Sequence, residues 1–99
     1  MLNGGAVDGI PADASMELPC VVDRLGAHPI RVGALPLAIR GLVQAVKAYE
    51  SLTVQAAVEG SRRIAMQALM AHPLVPSWNV AKPLLEELLA ANKTWIPWA

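Results

Sequence analysis

The feature that most constrains this chain is a change of apolar rhythm at Gly33. Before it, apolar residues come in short runs broken by Gly and Pro. After it, Ile39, Leu42, Val43, Val46, Tyr49 and Leu52 recur at steps of three and four, with Arg40, Gln44, Lys47 and Ser51 between them. That spacing predicts an amphipathic helix. Pro36 suits its first turn, where a missing N–H costs nothing, and the pattern runs through Val54, Ala57 and Val58 to Gly60 as a stop. Ser61 is expected to cap a second helix, Arg62 to His72, with Ile64, Ala65, Ala68 and Leu69 inward and Pro73 ending it. Asn79 is expected to cap a third, with Val80, Leu84, Leu85, Leu88 and Leu89 inward and Glu86, Glu87 and Lys93 outward. Pro83 removes one backbone donor near the start of that helix. The inner faces predict a shared core of Leu42, Val46, Leu69, Leu85 and Leu88.

Upstream of Gly33 the reading is extended. Residues 1–14 carry Gly4, Gly5, Gly9 and Pro11 among small residues and read as an opening loop. Residues 15–33 read as a β-hairpin: one strand from Ser15 to Asp23, confined by Pro19 to an edge, the turn Asp23-Arg24-Leu25-Gly26, and a second run from His28 to Val32. The expected fold class is α+β, mainly α: a short hairpin followed by three helices over residues 35–96.

A chain of 99 residues supports one small domain. With 55% hydrophobic and only 16% charged residues, part of its surface is expected to meet a partner. Eight basic residues balance eight acidic ones, so no net field favours nucleic acid or an anionic membrane. Every apolar run is interrupted well short of a membrane span. The single Cys20 excludes an internal disulfide, and with no secretory leader at Met1 the expected location is cytoplasmic.

Few residues invite chemistry. Cys20, His28 and His72 are the available soft or borderline metal ligands, and none falls into CxxC, HExxH or HxxxH spacing. Cys20 is expected to be an inert thiol buried in an apolar strand. Gly4, Gly5 and Gly9 lack both the spacing and the strand-to-helix setting of a dinucleotide fingerprint. Glu86 and Glu87 are adjacent on a helix, so they diverge by about 100° and do not face one bond as a glycosidase pair must. Trp78, Trp95 and Trp98 suit an interface better than a sugar-stacking platform.

Longer segments carry a resemblance. Met16-Glu17-Leu18-Pro19-Cys20-Val21-Val22-Asp23-Arg24, with Gly26 and Pro29 after it, resembles the E-V-P-C-V-V-D-x-x-G-x-x-P segment of family 4 glycoside hydrolases. The stretch from Ile39 to Ala57 is similar to the I-R-G-L-V-Q-x-V-K-x-Y-E-x-L-T-V-E-A-A helix of that family's 6-phospho-β-glucosidase branch. His72-Pro73-Leu74-Val75 with Trp78 and Asn79, and Leu85 to Lys93 before Ile96-Pro97, resemble the branch's C-terminal end. The opening Asn3-Gly4-Gly5-Ala6 with Gly9-Ile10-Pro11 resembles N-x-G-A-I-x-G-L-P. Two departures stand out. Ser61-Arg62-Arg63 follows Gly60 where the family tends to an acidic residue, and Pro83 replaces a helix former.

The resemblance implies the C-terminal part of a lactate/malate dehydrogenase-like C-terminal domain. It also implies a parent enzyme that uses NAD and a divalent metal, usually manganese. In that family a hydride passes from sugar C3 to NAD, a base removes the acidified C2 proton, and the C1 substituent is eliminated before water adds and the hydride returns. The glycine loop, metal-binding Cys and His, catalytic Tyr and phosphate-holding Arg belong to earlier sequence with no matching position here. Neither Cys20 nor Tyr49 is therefore a ligand or base. Catalytic, cofactor-binding and metal residues are expected to be absent from residues 1–99, which read as one C-terminal segment, with Met1 opening a truncated or split frame. The expected partners are a missing N-terminal Rossmann domain and further copies in a homo-oligomer. A stand-alone α-rich interaction module is the competing reading.

Overall fold

A computed structural model describes residues 1–99. Two strands and three helices follow in order: β1 (Cys20–Asp23), β2 (Gly26–Pro29), α1 (Leu37–Glu59), α2 (Arg62–Ala71) and α3 (Trp78–Ala91). They distribute over two compact units, Met1–Gln44 and Ala45–Ala99, with α1 running through both.

The first unit is organised around one amide. Asn3 is fully buried, and its Nδ2 donates to the carbonyls of Val7 at 3.0 Å and Ile10 at 2.8 Å while its Oδ1 accepts from the Val7 N–H at 2.8 Å. The loop can wrap so tightly because Gly4, Gly5 and Gly9 all take positive φ, which costs a residue without Cβ nothing. Ala6, Val7 and Ile10 are buried in the same turn. Val32 and Gly33 donate their N–H groups to the Ala6 carbonyl, tying the loop to the end of the hairpin.

The hairpin is antiparallel, with Cys20 opposite Pro29, Val21 opposite His28 and Asp23 opposite Gly26. Asp23 accepts from the Leu25 N–H at 2.7 Å, and Gly26 takes φ 121°, so Arg24-Leu25 close a two-residue turn. Pairing starts at Gly26 rather than His28, because a two-residue turn leaves Gly26 and Ala27 no alternative to the ladder. The long first strand is likewise cut to four residues, as Pro19 has no N–H to offer. Beyond Cys20 every strand residue is exposed.

The second unit packs the rest of α1 with α2, α3 and the tail. Gly60 stops α1 at φ 66°, and Ser61 caps α2 as its spacing requires, its Oγ accepting from the Ile64 N–H at 3.2 Å. The third helix starts differently from expectation. Its cap is Ser77 rather than Asn79, with the Ser77 carbonyl taking the Val80 and Ala81 N–H groups, and Trp78 and Asn79 lie inside the helix. Pro83 is accommodated within it.

The predicted core is only partly realised. Leu85 is buried and Val46 and Leu69 are half-buried, but Leu42 is 56% and Leu88 45% exposed. Small residues make up much of the core, since Ala56, Ala68 and Ala81 are buried together with Ile64, Leu85 and Leu89. Of the helices only α2 and α3 pack closely on each other, so much of the apolar stripe of α1, Leu42, Val54 and Val58 included, stays exposed.

Two substitutions check this account. Asn3→Ala removes the partner of one N–H and two carbonyls, so the first unit is expected to lose about 1–3 kcal/mol in chemical denaturation. Faster hydrogen exchange at Val7 should accompany that loss. Gly60→Ala forces a Cβ into left-handed backbone and to 3.2 Å from Trp98 Cδ1, and should cost about 1–2 kcal/mol or more in the same measurement.

Candidate functional site

The residues with chemical capacity are dispersed. Cys20 and Val21 are neighbours in β1, so their side chains leave opposite faces, and His28 is paired with Val21. Cys20 and His28 therefore project to opposite sides of the hairpin. The Cys20 thiol contacts Met1 Sδ at 3.2 Å and the Leu18 carbonyl at 3.3 Å. It is half-buried in a largely exposed strand, which corrects the expectation of a buried thiol. The hairpin shows its apolar residues to solvent because no second layer of this unit covers them.

His28 Nε2 lies 2.9 Å from Asp23 Oδ1 across the turn. That hydrogen bond, seconded by the Leu25 N–H, holds the Asp23 carboxyl below the ordinary carboxylate range. His72 belongs to the second unit. Its Nδ1 accepts from the Leu74 N–H at 3.1 Å, and its ring stands edge-on to Tyr49 with centroids 4.5 Å apart. No three His, Cys, Asp or Glu residues converge on a point that could hold a metal ion.

Glu86 and Glu87 diverge as their adjacency dictates. Glu86 forms an exposed ion pair with Arg62, linking α3 to α2, and this hydrogen bond lowers its carboxyl pKa. Arg62 stands in the segment that departs from the family pattern, so the departure supplies an interhelix partner. The tryptophans form no common platform. Trp78 starts α3 and Trp95 follows its end, so about 20 Å of helix separates them. Both are exposed, whereas Trp98 lies against Gly60.

A concave feature of the second unit is an apolar groove of about 210 Å3, open to solvent on one side. Ala56, Ala57, Ala65 and Ala68 line it, with leucines of α2 and α3, Tyr49, Thr53, Ile96 and Trp98 completing the wall. Asn3, which sequence reading took only as part of the opening motif, organises the first unit, and its signal is a polar residue before Gly-Gly.

The family model described as the family 4 glycosyl hydrolase C-terminal domain matches residues 1–75. The chain belongs to the family 4 glycosyl hydrolases. It is 45% identical over 97% of its length to a probable 6-phospho-beta-glucosidase of Bacillus subtilis, of which it covers 22%. A solved 6-phospho-alpha-glucosidase from gut microorganisms, in complex with NAD and glucose-6-phosphate, superimposes with a TM-score of 0.89 at 38% identity. That match covers 98% of this chain and 22% of the other. The Thermotoga maritima 6-phospho-beta glucosidase, solved with manganese, NAD+ and glucose-6-phosphate, gives 0.84 at 36% identity over 97% of this chain and 24% of its own. The chain thus spans less than a quarter of these relatives' length. They favour the enzyme-portion reading over the interaction module.

The chemically capable side chains of this chain stand apart: its glycines line a loop closed on Asn3, and the groove of the second unit has no charged residue in its lining. No helix of the chain is long and apolar enough to cross a membrane.

The α2–α3 ion pair gives a pH test. Glu86 has a lowered pKa in the folded chain, so its contribution is present above the unfolded value of 4.5 and is lost as pH falls through the folded value. Thermal melts from pH 7 downward are expected to show a steeper loss of stability below that point than Glu86→Gln shows.

Proposed function

We propose that residues 1–99 form the C-terminal, non-catalytic portion of an NAD- and manganese-dependent 6-phospho-β-glucosidase. The observation that carries this is the family-model match over residues 1–75 together with 45% identity, across nearly the whole chain, to a probable 6-phospho-beta-glucosidase. The β preference rests on that relative and on the branch resemblance of Ile39 to Ala57.

On this reading NAD and the metal belong to the remainder of the parent, where they supply the redox step that loosens the glycosidic bond. This chain contributes packing. Leu37, Ile39 and Leu42 on α1 and Val21, Val22 and Leu25 on the hairpin are exposed apolar groups suited to covering by a nucleotide-binding domain or by a further copy in a cytoplasmic homo-oligomer. Residues 1–14, 15–33 and 35–96 then act as one segment of the parent rather than as separate modules.

The test is activity. The purified chain is expected to release no aglycone from a 6-phospho-β-glucoside with NAD and manganese present. Mixed with the upstream four-fifths of the Bacillus subtilis relative, it should restore turnover. Hydrolysis by the chain alone, surviving removal of contaminating enzyme, would overturn the reading. So would failure of the mixture when the relative's own C-terminal portion restores activity.

A further inference from the structure

We propose that the Asn3-Gly4 link is a deamidation site that the closed loop protects: loss of the Asn3 amide requires the first unit to open, and then prevents it from closing again. An asparagine side chain is lost most readily where glycine follows, because a backbone nitrogen with no neighbouring Cβ reaches the side-chain carbonyl unhindered. Of the three asparagines only Asn3 has that neighbour, since Asn79 precedes Val80 and Asn92 precedes Lys93. In the reaction the Gly4 nitrogen gives its proton to solvent base and attacks Cγ of Asn3. A cyclic imide forms as the new N–Cγ bond replaces the Cγ–Nδ2 bond, and Nδ2 leaves as ammonia. Water then adds at either imide carbonyl, leaving aspartate or isoaspartate at position 3.

The fold withholds each reactant. The Gly4 N–H donates to the Ala12 carbonyl at 2.8 Å, between the Asn3 N–H bond to Ala14 and the bends of the glycine loop, so the nucleophile is engaged. The amide it would attack is held at both ends. Oδ1 accepts from the Val7 N–H, and Nδ2 donates to the carbonyls of Val7 and Ile10, with that of Pro11 at 3.4 Å. Cγ cannot turn onto the Gly4 nitrogen without breaking the bonds that close the loop. Asn3 is also fully buried, which keeps base and water away. The product does not fit the place its parent held. A carboxylate has only acceptors, and here it would face the carbonyls of Val7, Ile10 and Pro11 with no N–H to offer them. Isoaspartate further diverts the main chain through Cγ.

Mass spectrometry reads this residue alone. Cleavage after Arg24 releases the peptide from Met1 to Arg24, in which Asn3 is the only asparagine and glutamine is absent, so the mass gained when NH2 gives way to OH belongs to Asn3. Isomerisation of Asp8 beside Gly9 leaves that mass unchanged. In mildly alkaline buffer the whole chain is expected to deamidate at Asn3 about tenfold or more slowly than the free peptide of residues 1–24, because the reaction draws on the open fraction. Gly9→Ala places a Cβ on backbone at φ 77° and 3.1 Å from Gln44 Nε2, so it should speed the reaction in the chain and leave the peptide rate unchanged. Asn3→Asp, the product made directly, should lower the melting temperature and hasten hydrogen exchange at Val7. Equal rates in chain and peptide overturn the proposal, as does a Gly9→Ala chain that reacts no faster than its parent. An Asn3→Asp chain that melts and exchanges as the parent does overturns it too.

Discussion

A buried primary amide has four hydrogen-bonding sites and no water to satisfy them, so the backbone around it must come to it. Asn3 imposes that condition on the first unit: once its side chain is enclosed, the carbonyls of Val7 and Ile10 and the Val7 N–H have to converge on it. The convergence requires the left-handed turns that Gly4, Gly5 and Gly9 supply. It also sets where the Ala6 carbonyl points, and that carbonyl receives the two N–H groups with which the hairpin rejoins the loop. The hairpin has almost no buried surface of its own. Its anchorage therefore depends on polar satisfaction rather than on a hydrophobic layer.

The second unit answers to a different constraint, which apolar faces find a covering element, and only α2 and α3 cover each other closely. The helices, their order and the Gly60 and Ser61 punctuation were legible because period, caps and stops are local properties written in consecutive residues. The core list was less legible, and Leu42 and Leu88 show why. Periodicity reports that a face is apolar and does not report which element, if any, covers it. Buried positions went to Ala56, Ala68 and Ala81 as well as to the leucines, and of these three only Ala68 had been placed inward by the apolar spacing. The start of α3 was misplaced on similar grounds. Ser77 and Asn79 are both good caps, and only the path of the backbone decides between them.

Function was legible in a different way. The candidates for chemistry are dispersed: Cys20 and His28 leave opposite faces of one hairpin, and the two glutamates diverge along α3. What carried the family was extended similarity along the opening loop, the hairpin and α1. Asn3 and its glycines lie in one of those segments. A loop closed around an asparagine and turned by glycines at positive φ admits few other side chains at those positions.

Two kinds of apolar surface stay uncovered in this chain. Val21, Val22, Leu25 and Leu37 are exposed along the hairpin and at the start of α1, where burial needs a large opposing face. The groove of the second unit is open to solvent, and its lining joins the exposed Thr53, Ala57 and Leu88 to the buried Ala56, Ala68, Leu85 and Leu89. The first set lies on elements held by backbone hydrogen bonds, so polar replacements at Val22 and Leu25 are expected to raise solubility without lowering the melting temperature. The second is continuous with the core of its unit, so polar replacements at Ala68 or Leu85 are expected to lower the melting temperature instead.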